Sequence, residues 1–347
     1  LGSTFAMPRV TNTAYELGFL PLGFVEKSTA SHLIFAFVFN FVSMFFMLKQ
    51  GTMISAIGKF MTPALLFLLV AVGIAVVRTP LSPINEPINQ YVDFAFFSGI
   101  VDGYQTMDVL SAMAFGGIVA RALASRGITS PQDVVIITIK AGLIAVGLLA
   151  ALYICLFYLG ATSDAVSQTA TNGGQIFSRY VDALYGALGT WLMCSIVLLA
   201  SMTTFVGVTS ACADFFATFN PRLDYRFWVV VSTLLTTIVS TFGLDTLLRV
   251  TIPVLLLIYP TTVALVFLQF ARRKMRNPRF TYGFTVAVLV VMSAFDTLNN
   301  IGLLNENVLA VLHRMPLFKE GIGWLLPGVI AFIISFVAGN MKPAKMH

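Results

Sequence analysis

Ser98-Gly99-Ile100-Val101-Asp102-Gly103-Tyr104-Gln105-Thr106-Met107-Asp108 sits inside an apolar run that extends from Tyr91 to Ala120. As one helix, that run of about 30 residues would be roughly 45 Å long at about 1.5 Å per residue, well beyond a hydrocarbon core of about 30 Å. Two glycines flank a carboxylate, and glycine lowers the cost of leaving helical geometry while losing helix propensity. The stretch therefore predicts a broken membrane helix, with one half before Gly99 and the other starting near Tyr104. Freed backbone groups cannot face lipid. Such a break either lines a protein-enclosed cavity, where transporters hold substrates and ions, or is a kink that only aids packing.

Outward from this stretch, 58% of the 347 residues are hydrophobic and 10% are charged, and the mean hydropathy is +0.89. That composition belongs to an integral membrane protein. The long apolar runs are continuous and do not alternate, which excludes a β-barrel and predicts an all-α polytopic membrane protein. The net charge of +6 does not point to nucleic acid, because most lysines and arginines fall between the apolar runs, where topology accounts for them. Cys155, Cys194 and Cys212 lie in apolar segments without metal-type spacing, and His32, His313 and His347 are scattered near span ends. With no phosphate loop or nucleophile motif either, the enzyme classes are excluded and no cofactor is expected.

One transmembrane domain is predicted over 1–347. A partial helix covers 1–22, and nine further spans cover about 30–48, 56–77, 91–122 (broken at 99–104), 132–160, 187–216, 225–242, 246–271, 281–297 and 322–339. The proline-rich connector from Thr79 to Pro87 cannot be helical throughout, and Pro131 opens the next helix. In alternate loops, Lys49, Lys59, Lys140, Lys274, Lys342, Lys345 and eight arginines stand against Lys27, Arg78, Arg179, Arg249, Arg314 and Lys319. Cytoplasmic loops carry such an excess, so the C-terminus is expected in the cytoplasm of a multi-pass cell-membrane protein. The chain opens at Leu1 in sequence that is already apolar, which predicts a start partway through a longer protein.

Four blocks carry a resemblance: Phe5-x-Met7-Pro8-Arg9 with Thr13 and Tyr15-Glu16-x-Gly18; Gly103-Tyr104-x-Thr106-Met107-Asp108 with Phe115-Gly116; Thr209-x-Ala211-Cys212-Ala213-x-Phe215-Phe216; and Pro253-Val254-Leu255 with Tyr259-Pro260. In this order they resemble the branched-chain amino acid:cation symporter family. The resemblance implies a leucine-transporter-like inverted-repeat fold, here lacking the first two helices and part of the third. It implies import of leucine, isoleucine and valine with Na+, or with H+, by alternating access. An inactive or sensor-type fragment of such a symporter is the rival expectation, and a pore a third.

Candidate site residues follow. Gly99, Ile100, Val101, Asp102, Gly103 and Tyr104 are expected to bind substrate, with carbonyls toward an ammonium and helix N–H groups toward an anion. Asp102 and Asp108 are intramembrane carboxylates, expensive to insert and therefore candidates for function. Asp108 has a plainer role as well, stabilising a helix N-terminus. Arg9 and Glu16, seven positions apart and so on one face if the segment is helical, are candidates for coupling or gating, or for a structural polar network. Ala200, Thr203 and Thr204 resemble the sodium site that this fold builds on its eighth helix; hydroxyls also serve as ordinary interhelical hydrogen-bonders. Thr209 and Ser210 are a second pair. Ala112, Gly116, Ala120 and Ala124 form a small-residue stripe on which a helix is expected to pack. The expected partners are the amino-acid substrate, Na+ and the lipid bilayer.

Overall fold

The computed structural model describes residues 2–48, 57–88, 91–104, 106–170, 172–219 and 222–341. Leu1, Lys49, Ala56, Lys342, Lys345 and His347 lie outside them. Among the described residues the chain is helical throughout, without a strand. The helices are α1 (Met7–Thr13), α2 (Thr29–Leu48), α3 (Thr62–Arg78), α4 (Tyr91–Tyr104), α5 (Asp108–Ala124), α6 (Pro131–Ala161), α7 (Gly173–Tyr185), α8 (Ala187–Phe219), α9 (Tyr225–Ser240), α10 (Leu244–Ala271), α11 (Pro278–Asn300), α12 (Glu306–Leu312) and α13 (Leu325–Met341). Six helical stretches are long and apolar enough to cross a membrane, and the bent pair α4 and α5 makes a seventh if it is one span. A multi-pass membrane protein follows.

Local chemistry sets the helix ends. Asn172, Asp224 and Asn277 accept the backbone N–H three residues on (Gln175 at 3.0 Å, Phe227 at 2.9 Å, Phe280 at 3.3 Å), satisfying donors that a helix start leaves unpaired. Pro131 stands in the first turn of α6, where its missing N–H costs nothing. Along α6, large apolar side chains such as Val135, Ile139, Leu143 and Ile154 are exposed, as a lipid-facing helix requires.

The chain divides into two compact units, one of Leu1–Glu86 and Ala114–Leu247, the other of Pro87–Met113 and Leu248–His347. In the first, α8 is the central helix, packed by α7, α9, α2 and the segment 2–22. That segment is π-helical over Gly2–Ala6 and Ala14–Phe19 around α1. Its wider turns change the face that each residue presents. In α9 the buried Thr233 hydroxyl donates to the Val229 carbonyl at 2.8 Å and the half-buried Thr237 to that of Thr233 at 2.8 Å, while the buried Thr236 reaches outside the helix to the Ser3 carbonyl at 3.1 Å.

In the second unit, α11 and α13 pack along their length, with Gly328 so close to Leu289 that an added Cβ would stand 2.5 Å from its Cδ2. Pro253 and Pro260 lie inside α10. Each removes a backbone donor, leaving the carbonyls of Arg249 and Leu256 without their usual helical partner.

The small-residue stripe does not behave as expected: Ala112, Gly116, Ala120 and Ala124 are all exposed. Lipid tails are as apolar as leucine, so spacing alone does not tell a lipid-facing stripe from a packed one.

Candidate functional site

The interruption of the apolar run lies between Tyr104 and Asp108, with the flanking helices bent by 44°. It does not lie at 99–104: α4 continues through both Gly99 and Gly103 to Tyr104. The chain turns at Met107, whose φ of 59° is left-handed and uncommon for a residue with a side chain. A non-glycine residue keeps that geometry only where its surroundings impose it. They do so here through hydrogen bonds. Thr106 returns its backbone N–H (3.3 Å) and its hydroxyl (2.8 Å) to the Gly103 carbonyl, and Met107 donates to that of Tyr104 at 3.2 Å. On the far side the Tyr259 hydroxyl of α10 accepts the Val109 N–H at 3.2 Å, capping α5 from another helix. The Tyr104 and Tyr259 rings stack at 4.6 Å.

The expected substrate residues divide accordingly. Gly99, Ile100 and Gly103 are exposed, and among the described residues a Cβ at either glycine would meet open space. The glycines serve neither the bend nor a close approach here. Val101 is half-buried against Gly321. Asp102 accepts a hydrogen bond from the Tyr91 hydroxyl of its own helix, so its carboxylate already has a donor. Tyr104 is buried, and its hydroxyl has no hydrogen-bond partner among the described residues. Asp108 stands in the first turn of α5, where a carboxylate favours the positive end of the helix.

Around Tyr104 the second unit gathers Leu255, Leu256, Tyr259, Leu289, Met292 and Trp324 into one apolar cluster. Polar atoms without hydrogen-bond partners among the described residues are buried beside it: the Trp324 Nε1, the Ser293 hydroxyl and Oδ2 of Asp296. Sequence reasoning missed Tyr259, Asp296 and Trp324 as site residues. The signal existed for Asp296, an acid inside the run Val290-Val291-Met292-Ser293-Ala294-Phe295 and its continuation.

The remaining candidates belong to the first unit. The Thr203 hydroxyl donates to the Ala200 carbonyl at 2.9 Å, while Thr204 is exposed. Two of the three expected sodium ligands thus satisfy each other within α8, and the third points elsewhere. Ser210 accepts from the Tyr225 hydroxyl at 3.1 Å, and the buried Thr209 hydroxyl is without a partner among the described residues. Glu16 pairs with Lys27 at 3.5 Å at an exposed margin, and Arg9 is half-buried in α1. A polar network runs instead through residues that the sequence did not single out. Thr11 donates to the Asn40 side-chain oxygen at 2.8 Å, Asn40 donates to Thr237 at 2.9 Å, and Asn12 meets His32 at 2.7 Å.

Comparison with known proteins decides the family. The model for branched-chain amino acid transport proteins matches residues 1–342. The chain belongs to that family. It is 52% identical to the branched-chain amino acid permease BrnQ of Haemophilus influenzae over 98% of this chain and 78% of that protein. It is 34% identical to the branched-chain amino acid transport system 2 carrier protein of Pseudomonas aeruginosa, over 99% of this chain and 78% of that one. It is 32% identical to BrnQ of Bacillus subtilis, over 97% and 77%. No solved structure matches the chain.

Proposed function

We propose that this family member is a secondary active transporter that imports leucine, isoleucine and valine with Na+, or with H+, by alternating access. The supporting observation is the interrupted apolar span at Tyr104–Asp108 in a chain whose relatives are branched-chain amino acid permeases. An interrupted span supplies backbone carbonyls and N–H groups at membrane depth, the groups that recognise an amino acid's ammonium and carboxylate. The leucine-transporter-like inverted repeat and a cytoplasmic C-terminus belong to the same proposal. So does sodium on Ala200, Thr203 and Thr204, which would require the Thr203 hydroxyl to leave the Ala200 carbonyl. Substrate specificity for branched side chains fits the aliphatic and methionine lining around Tyr104.

The test is radiolabelled isoleucine uptake into proteoliposomes. Saturable uptake that accelerates with an inward sodium gradient, and is competed by leucine and valine, supports the proposal. Uptake that ignores both sodium and proton gradients refutes ion coupling. Flux that fails to saturate indicates a pore.

A further inference from the structure

In the second unit, the segment from Met315 to Trp324 folds down over α11 and the end of α4. Two left-handed residues, Leu317 (φ 66°) and Gly321 (φ 78°), hold the fold-back, and Ile322 donates to the Leu317 carbonyl at 3.1 Å. Phe318, Ile322 and Trp324 are all buried by it. Gly321 approaches Val101 of α4, where an added Cβ would lie 3.3 Å from Cγ2. Gly323 lies directly on Asp296, where an added Cβ would stand 3.2 Å from Oδ1 and 2.5 Å from the Phe318 ring. The Trp324 backbone N–H faces the same carboxyl, and Tyr104 is within its electrostatic reach.

The other carboxyl oxygen, Oδ2, is enclosed without a hydrogen-bond donor among the described residues, and Tyr104 Oη and Trp324 Nε1 are buried without a hydrogen-bond partner among them. The ionisable groups that this unit carries on the surrounding elements are Tyr91, Asp93, Asp102 and Tyr104 on α4, Arg249 and Tyr259 on α10, Arg279 and Tyr282 on α11, Lys319 and Glu320 on the covering segment, and His313 and Arg314 just before it. Among the described residues none forms a salt bridge with Asp296. With no cation beside it and the Trp324 backbone N–H as its one donor among the described residues, a carboxylate whose second oxygen is enclosed is costly to keep ionised, whereas the neutral acid is tolerated. An ammonium group has no room beside atoms so enclosed. A metal cation wants several oxygens, but the Trp324 backbone N–H and the Phe318 ring stand there instead.

We infer that Asp296 is a proton-binding site, and that its protonation lets the 315–324 segment seat over the Tyr104 end of the broken helix. On deprotonation the proton leaves to water and the carboxylate must be hydrated, so the segment lifts from Gly323 onward. This goes beyond the transport proposal; the spectroscopic test stands without it, and only the uptake test rests on it.

The test uses the purified full-length protein in lipid nanodiscs, with infrared difference spectroscopy across pH. A carboxylic-acid C=O band is expected at neutral pH, lost at high pH together with a shift in Trp324 fluorescence. The band is absent from Asp296→Asn and displaced in Asp296→Glu, which guards against misassignment should the Asn variant not fold. In proteoliposomes, isoleucine uptake by the wild type falls over the pH range in which the band disappears, and Asp296→Asn is flat over that range. A wild-type spectrum with no band attributable to Asp296 overturns the inference, whatever the transport result. So does a band removed by sodium at constant pH, which would make the site a metal-cation site, or a pH profile unchanged in Asp296→Asn.

Discussion

Replacing Tyr259 by Phe tests the assembly of the break more directly than any substitution in the break itself. The variant keeps the ring that stacks on Tyr104 at 4.6 Å and removes only the oxygen that accepts the Val109 N–H at 3.2 Å. Val109 is the second residue of α5, so its N–H has no partner in its own helix. Leu110, Val263 and Ala264, packed on the same cluster, are apolar and supply no acceptor. A donor left unsatisfied in such surroundings costs about 1–3 kcal/mol, and about 1.4 kcal/mol is a factor of ten. Local opening at Val109 should therefore become roughly 5–150 times more frequent. Hydrogen exchange followed by mass spectrometry on protein in nanodiscs reads this as a fall in protection of the peptide containing Val109. Peptides from α8, in the other unit, should not change. Tyr259→Leu should add the loss of stacking, about 0.5–1.5 kcal/mol. Protection at Val109 unchanged within a factor of two in Tyr259→Phe would refute the account of the break as capped from α10.

Asn40→Ala removes a fully buried side chain that joins Thr11 to Thr237, and should destabilise the detergent-solubilised protein by about 1–2 kcal/mol, read as a lower midpoint in thermal unfolding. Gly328→Val pushes branched methyls into Leu289 and should cost about 1–3 kcal/mol in the same assay, with Leu289→Ala partly restoring it. Lys27→Ala breaks a 3.5 Å pair whose lysine is 68% exposed, and should leave the midpoint unchanged. Thr203→Ala should raise the sodium concentration for half-maximal uptake by about tenfold, if the proposed sodium site uses that hydroxyl; an unchanged sodium dependence would remove Thr203 from the site.

The helical class, the apolar spans and the proline-bearing helix start at Pro131 were legible because each rests on local chemistry. The position of the break was not. Gly99 and Gly103 mark where bending is cheap, yet the bend occurs at Met107, because Thr106 and a tyrosine about 150 residues away supply the hydrogen bonds that make it stable there. Thr203 and Thr204 show a second limit. Adjacent residues on a helix point about 100° apart, and spacing alone could not tell that one hydroxyl turns back to its own backbone while the other is exposed. The exposed stripe from Ala112 to Ala124 shows a third, since in a membrane the face toward lipid and the face toward protein draw on the same residues. Asp296 was different: the rule that flagged Asp102 applies to it equally, and it went unused because no family motif lay around it.

The two acids then part company on physical grounds. Asp102 has the Tyr91 hydroxyl as donor and lies on a half-buried face. Asp296 has one oxygen against Gly323 and the Trp324 backbone, and the other without a hydrogen-bond partner among the described residues. A fully satisfied network, such as Thr11–Asn40–Thr237, has one low-energy arrangement and fixes structure. A cluster in which Asp296 Oδ2 has no hydrogen-bond partner among the described residues, beside Tyr104 Oη and Trp324 Nε1, stores a cost that a second arrangement can relieve. Tyr104 belongs both to that cluster and to the interrupted span. Any movement that hydrates Asp296 must therefore also change the contacts of the residue that ends α4, and this is what would tie the charge of one carboxyl to the geometry of the break.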